Sequence, residues 1–368
     1  MIKMVEPKAA TAYDKMFKDI EMVKIQYDDM FKWVKEIFMK TGMDDEDASY
    51  TTENLVRTDL RSVYSHGIMR VPMYFRRLKN GCTSPTGKPK IIKDFGATAI
   101  INGNNAMGQV VGVHAMKLAI EKAKKYGVGY ISVGQSNHYG ACAHFSMMAL
   151  PEDMIGITAT MGSTRNIAPW GGTEPLLGNN PFSIAIPALN RDPIIMDMSN
   201  SVVARGKIVM AMKTKQPIPD SWAFGKDGEP TTDATEGYWG TLRPVGDYKG
   251  YGLTVISGML SALLSGSTFG REVNDLYEEF KVQNVGHFMQ VINISAFEDP
   301  VVFKKNVDLL SNELKESPKK DGVNEIYLPG ELEAIAERRQ KIEGISYPMD
   351  VINELRDLSI QIGVKPLL

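Results

Sequence analysis

The sequence predicts an α/β protein in which a central α/β segment is flanked by helices. Three observations lead there. Apolar residues recur at helical spacing over the first ninety positions, short apolar runs bounded by Gly, Asn and Pro fill the middle, and helical spacing returns at the end. At about 150 residues per core, a chain of 368 predicts two or three units.

Met30, Phe31, Val34, Ile37 and Phe38 predict a helix from Ile25 to Lys40, with Gly42 at its end. A second helix starts at "MDDEDASYTTENLVRTDL", whose first-turn acids suit the helix dipole. Ser65-His66-Gly67 then interrupts what still reads as helix, with Gly67 closing or bending it. Pro72 suits the first turn of a third helix, which Asn80-Gly81 stops. From Lys90 the texture changes to two short strands with turns at Gly96 and Asn102-Gly103. An amphipathic helix ending at Gly127 follows, then the strands "VGYISVGQS", "MIGITATM", "FSIAIPAL" and "PIIMDMS". Their continuous apolar character predicts burial on both faces. Helical spacing returns over Val202–Met212, followed by a long polar loop, "KTKQPIPDSWAFGKDGEPTTD", and an apolar helix after Gly250. One more strand is predicted from Val285 to Phe297, and two helices after "EIYLPG".

A net charge of −2 demands no basic face for nucleic acid. Cys82 and Cys142 have no metal-type spacing and point to a reducing, cytoplasmic setting. The first 23 residues lack an apolar core or an acid-free Arg-rich face and read as an ordinary extension rather than a targeting signal. Gly250 to Gly270 is uncharged and matches the roughly 20 residues of a membrane span. It holds five glycines, four serines and two threonines, and Ser257, Ser261 and Ser265 share a face. A buried helix packed closely on another backbone is the reading it supports, with no membrane partner.

No G-x-G-x-x-G follows a strand, and there is no Walker loop, G-x-S-x-G elbow, H-E-x-x-H or C-x-x-C. An ordinary Rossmann enzyme, a P-loop NTPase and an elbow-type serine hydrolase are thereby disfavoured, and no metal site is visible. Polar clusters in apolar settings remain. Ser136, Asn137 and His138 follow the strand "YISV", where α/β proteins place ligands; the alternative for His138 is an imidazole bonding a loop carbonyl. Asp197 ends an apolar strand and, if buried, requires a cation, a hydroxyl or an imidazole; the alternative is capping, with Ser199, Asn200 and Ser201 as further N-cap candidates. Lys249 lies between glycines ahead of the apolar helix, and a solvated flanking lysine is the alternative there. His114 reads as structural and His287 as isolated.

Six segments occur in order: "DLRSVYSHGIMRVPMYFRRLKNG", "GQSNHYGACAHFSMMA", "GGTEPLLGNNPFSIAIP", "MDMSNSVVARGKI", "GDYKGYGL" and "IYLPGELE". Together they resemble the malate/L-lactate dehydrogenase family of the second type, the sulfolactate/ureidoglycolate dehydrogenase-like oxidoreductases, from about Lys24 to the C-terminus. The resemblance implies hydride transfer between a nicotinamide cofactor, NAD or NADP, and a small 2-hydroxy or 2-oxo acid. Some members of the family reduce cyclic imines or diketo acids instead, and a catalytically silent nucleotide-binding regulator is a further alternative.

The resemblance also implies a non-Rossmann nucleotide-binding α/β domain, over 91–330. A mainly helical domain is implied from both chain ends, 24–90 with 331–368, and the family forms homodimers with shared active sites. By position, His138 carries an acid/base role, and Ser65 and His66 line the site, with His66 assigned the proton in some relatives. Arg70 and Tyr74 hold the substrate carboxylate, while Asp197, Met198, Pro329, Gly330 and Glu331 contact the cofactor, with Lys249 beside them. The chain departs at Tyr64, where the family usually has an acid, and mildly at Tyr139, where it usually has Phe. The chemistry agrees: imidazole titrates near neutral pH, and guanidinium pairs a carboxylate through two parallel hydrogen bonds.

Overall fold

The computed structural model describes residues 20–368. The expected extension over 1–23 lies mostly outside them, and its last residues belong to a strand, β1 (Met22–Ile25). The chain parts into two compact units. One runs to Phe75 and resumes over Tyr327–Leu368; the other is Arg76–Ile326. The first division therefore falls before the expected boundary at residue 90. Arg77 is the reason: its buried guanidinium donates to the carbonyls of Leu276, Glu278 and Lys281, which ties its helix to the second unit.

In the first unit, α1 (Tyr27–Met39) buries Met30, Trp33, Val34, Ile37 and Phe38. It packs on α2 (Asp45–Leu60), whose first turn is capped by the Asp44 side chain accepting the Asp47 N–H at 2.9 Å. The helix expected to close or bend at Gly67 ends earlier, at Leu60. Ser62 takes a left-handed φ of 60°, and the chain then forms two 3-10 turns, Tyr64–His66 and Ile68–Arg70, before α3 (Val71–Lys79).

The second unit is built on a seven-stranded sheet. Its elements run β2 (Lys90–Phe95), β3 (Thr98–Asn102), α4 (Gly108–Tyr126), β4 (Val128–Ser136), α5 (Cys142–Ser146), β5 (Met154–Thr160), β6 (Phe182–Ile186) and β7 (Ile194–Met198). They continue with α6 (Arg205–Thr214), β8 (Ala223–Phe224), α7 (Ala234–Trp239), β9 (Thr241–Leu242), α8 (Tyr248–Ala262), β10 (Val285–Asn293) and α9 (Pro300–Glu316). The sheet order is β2-β3-β4-β10-β5-β6-β7, antiparallel at every pairing except β3 with β4. Of the four strands expected to be buried on both faces, β4, which contacts α4 and α8, largely is, whereas β6 and β7 alternate between buried and partly exposed residues toward the sheet edge.

Three further expectations are corrected. The long polar loop contains the two-residue strand β8, and the stretch after it holds α7 and β9, which pairs with β8. Helix α9 had no counterpart in the sequence reading, although the Asp299 side chain caps it and Pro300 sits in its first turn. The apolar helix α8 is buried only on its small face, Gly250, Thr254, Gly258, Ser261 and Ala262. Leu253, Ile256, Met259, Leu260, Leu263 and Leu264, on and just after it, are exposed. No helix among the described residues is long and apolar enough to cross a membrane.

The first unit closes with α10 (Glu331–Glu343), β11 (Ile345–Pro348) and α11 (Met349–Ile362). β11 pairs antiparallel with β1, and Trp33 Nε1 donates to Ser359 Oγ at 2.9 Å.

Candidate active site

Strand register gathers the second unit's candidate residues at one end of the sheet. β4 ends at Ser136 opposite Val285, β5 ends at Thr160 opposite His287, and β7 ends at Met198 opposite Phe182. The segments that leave or enter these strands therefore crowd together. The His138 backbone N–H donates to Gln283 Oε1 at 3.0 Å, and the Asn180 carboxamide bonds Gly162 N at 2.7 Å and the Thr254 carbonyl at 2.8 Å. Asn200 Nδ2 donates to the Asn180 carbonyl at 2.7 Å, and Val245 N donates to the Asn200 carbonyl at 2.9 Å, which brings the start of α8 to the same place.

The loop bearing His138 is held from several sides. Asn137 is buried; its Nδ2 reaches the Ala106 carbonyl at 2.9 Å and Asn105 Oδ1 at 3.0 Å, and its Oδ1 accepts from Thr83 at 3.2 Å. The first turn of α4 packs directly on the loop, because a Cβ at Gly108 would lie 2.4 Å from the His138 carbonyl oxygen. Tyr139 is fully buried, with its hydroxyl on Cys142 Sγ at 2.9 Å and Thr158 Oγ1 at 3.3 Å, so its extra oxygen over Phe is accommodated inside the core. His138 itself is only half-buried, and its Nδ1 accepts the Gly140 N–H at 3.4 Å.

His287, read from sequence as isolated, is the hub behind this loop. It is fully buried, bonds Ser136 Oγ at 2.8 Å and Thr160 Oγ1 at 2.7 Å, and stacks on the Tyr139 ring at 4.4 Å. Burial pushes its pKa down to about 3, so it is a neutral imidazole bridging two hydroxyls. Only strand pairing places His287 beside Thr160 and Ser136, and nothing local in the sequence announces it.

Asp197 is not enclosed as expected for the end of an apolar strand, and it takes the alternative role of bonding a helix N-terminus. It is exposed, and its Oδ2 accepts the Ala143 N–H in the first turn of α5 at 2.8 Å. Ser199, Asn200 and Ser201 do not cap the helix that follows: α6 starts after Ala204, and Ser201 Oγ turns to the Val203 carbonyl at 2.9 Å. Met198 ends β7 half-buried, and Lys249 lies exposed in the first turn of α8.

The first unit carries the other candidates on its 3-10 turns. Ser65 Oγ lies 2.9 Å from His66 Nδ1, and Arg70 Nε donates to the Ser65 carbonyl at 2.8 Å, so the three residues form one knot. The His66 ring is partly exposed, yet its pKa is pushed down to about 3, first by burial and then by the Arg70 charge. Tyr74, expected beside the substrate, is only 2% exposed. Arg70 sits on the 3-10 turn and Tyr74 inside α3, where its ring is enclosed. At the start of α10, Gly330 takes a left-handed φ of 84° and Glu331 Oε2 accepts the Leu328 N–H at 2.9 Å. Pro329, Gly330 and Glu331 thus form a helix-starting turn, with Pro329 exposed.

A nicotinamide carboxamide needs an amide acceptor and an amide donor. Asn200 Oδ1 and Gln283 Nε2, both from segments at the His138 end of the sheet, are buried without hydrogen-bond partners. The donor set at that end therefore fits such a group. Among the described residues no cluster of His, Cys, Asp or Glu is arranged to hold a metal ion.

Comparison with known proteins points the same way. The malate/L-lactate dehydrogenase family model matches residues 25–356. The chain is 37% identical to a malate dehydrogenase of Pyrococcus abyssi over 96% of its length and 99% of that protein's. It is 31% identical to a ureidoglycolate dehydrogenase (NAD(+)) of Escherichia coli O157:H7, over 90% of this chain and 95% of the relative. The structure of sulfolactate dehydrogenase from Methanocaldococcus jannaschii superposes with a TM-score of 0.88 at 37% identity, covering 93% of this chain and 98% of that one.

Proposed function

The chain belongs to the malate/L-lactate dehydrogenase family, and from that premise we propose a 2-hydroxy acid dehydrogenase that works with a nicotinamide cofactor, preferentially NAD. The observation that carries the assignment of roles is the contrast between two histidines. Both are partly exposed; burial and the Arg70 charge push the His66 pKa down to about 3, whereas His138 stands on a loop braced by Asn137, Gln283 and His287. An imidazole that protonates only near pH 3 is a poor proton acceptor at neutral pH. His138 therefore takes the substrate hydroxyl proton during oxidation and returns it to the carbonyl oxygen during reduction. His66 and Ser65 remain hydrogen-bonding groups. The bound cofactor supplies the hydride acceptor.

Arg70 binds the substrate carboxylate, its Nε already fixed on the Ser65 carbonyl so that the guanidinium plane is set in advance. Tyr74, enclosed in α3, contributes to substrate binding by supporting that turn. Asn200 and Gln283 would hold the carboxamide, with Asp197, Met198, Lys249 and the Pro329-Gly330-Glu331 turn as further cofactor contacts. These assignments fit a non-Rossmann nucleotide-binding unit over most of 91–330 and a mainly helical unit from both ends. Two buried free cysteines, Cys82 and Cys142, suit the cytoplasm. The exposed apolar face of α8 suits a homodimer with shared active sites.

The test is a substrate panel. Purified protein is mixed with NAD⁺ or NADP⁺ and malate, lactate, sulfolactate or ureidoglycolate, and the reverse reaction is run with the oxo acids. Absorbance change at 340 nm, from protein sedimenting as a dimer, is the expected result; silence across the panel refutes the activity. Arg70→Lys is expected to raise KM for the acid by about tenfold or more while leaving the cofactor KM in place, since ammonium lacks the two-pronged geometry. An unchanged acid KM removes Arg70 from that role.

A further inference from the structure

The first unit contains a buried carboxyl to which the proposed chemistry gives no part. Asp59, in the last turn of α2, is 1% exposed. Its Oδ2 accepts the Ile68 N–H at 2.8 Å. Its Oδ1 fills the space of a side chain at Gly67, lying 1.6 Å from where a Cβ would stand. Gly67 is thus required by close approach and not by a left-handed turn, since its φ is −93°. The turn carrying Ser65 and His66 is moulded on this carboxyl at Gly67 and pinned to it at Ile68.

The surroundings explain why an acid can sit there. The Tyr347 hydroxyl of β11 lies close enough to interact with Asp59, although it is not set for a direct hydrogen bond. Gln340 of α10 fixes the backbone around it, its Nε2 reaching the carbonyls of Asp59 at 3.1 Å and Leu60 at 3.0 Å and Ser62 Oγ at 3.1 Å. Tyr64, which stands where the resemblance led us to expect an acid, donates its hydroxyl to Gln340 Oε1 at 3.1 Å. Residue 64 therefore belongs to the scaffold, and the acid that touches the turn is Asp59.

We propose that Asp59 is a positioning residue for the dehydrogenase site. Wedged against Gly67 and bonded to the Ile68 N–H, it sets the Ser65–His66 turn, and through the Ser65 carbonyl it sets Arg70. This rests on the dehydrogenase reading for its kinetic consequence but not for its structural one. Burial favours the uncharged form of this carboxyl, so its shape and its acceptor oxygen are what the turn uses, and asparagine supplies both.

Asp59→Asn and Asp59→Ala in the full chain separate the possibilities, with hydrogen exchange of peptides spanning residues 62–70 read beside steady-state kinetics. Asp59→Asn is expected to keep both near wild type. Asp59→Ala is expected to speed exchange at Ile68 by about tenfold or more. It is also expected to lower kcat by about 10²-fold with the cofactor KM unchanged, the scale of an ångström-level misplacement. Wild-type exchange and kcat in a folded Asp59→Ala protein overturn the proposal. So does a purely scaffolding outcome, in which both variants melt earlier to the same extent and the folded protein keeps its kcat. If Asp59→Ala does not fold, Gly67→Ala, which displaces the carboxyl while retaining it, is read by the same criteria. A wild-type protein silent on every substrate counts against the dehydrogenase reading, while the exchange measurement still decides what Asp59 holds.

Discussion

His138→Ala is expected to lower kcat by about 10²-fold or more, the usual contribution of a positioned acid/base, with little change in cofactor KM. The substitution is clean because alanine keeps the backbone N–H that donates to Gln283 Oε1, and the loop remains pinned through Asn137 and through Ser136 on His287. Steady-state kinetics across pH check it: the limb of the kcat/KM profile that reports the free enzyme's base should vanish with the imidazole. His66→Ala tests the rival assignment in the same assay. If that variant alone loses both kcat and the limb, the proton passes through His66 and its burial has been misjudged as disabling.

Stability is expected to fall as the pH drops from 6.5 toward 4.5, before most carboxylates titrate. His66 and His287 each have a folded-state pKa pushed from 6.5 to about 3. Between those values the unfolded chain binds protons that the folded chain does not, so stability is present above the unfolded pKa and is lost as pH falls. Each such histidine adds a slope of up to about 1.4 kcal/mol per pH unit. Asp59 works in the opposite sense: its carboxyl is raised by burial, so the folded state holds a proton that the unfolded state releases as pH rises. Two histidines against one acid leave a net loss toward low pH. Urea titrations at stepped pH measure it. His287→Gln, which keeps a polar group between Ser136 and Thr160, should flatten the slope by about one proton's worth, or about 1.4 kcal/mol per pH unit. A slope unchanged in that variant removes His287 as a source.

Much of the architecture was legible where local rules decide. The apolar stripe of α1, the acidic first turn of α2, the Gly127 stop of α4 and the paired strands around Asn190-Arg191-Asp192 follow from periodicity and turn chemistry. Local rules also failed in recognisable ways. The helix read on to Gly67 rather than stopping at Leu60, because sequence spacing carries no trace of the left-handed Ser62 or of the carboxyl that displaces any side chain at Gly67. Asp197 read as buried because its strand is apolar, yet that strand is the edge of the sheet and the residue is exposed, with its carboxylate on the first turn of α5.

By itself the sequence determined the α/β class, the helical ends and the absence of a glycine dinucleotide fingerprint, and it offered His138, His66, Ser65 and Arg70 as candidates. Only the tertiary structure decided how those residues differ. His66 and His138 are the same side chain in similarly polar motifs. His66 has the Arg70 guanidinium beside it and is pushed toward its neutral form, whereas His138 stands on a loop braced by Asn137, Gln283 and His287, and both settings exist only in the folded chain. The supports are equally nonlocal. Ser136 and Thr160 meet His287 through strand register, and Asp59 meets Gly67 because α2 ends where the 3-10 turns fold back over it.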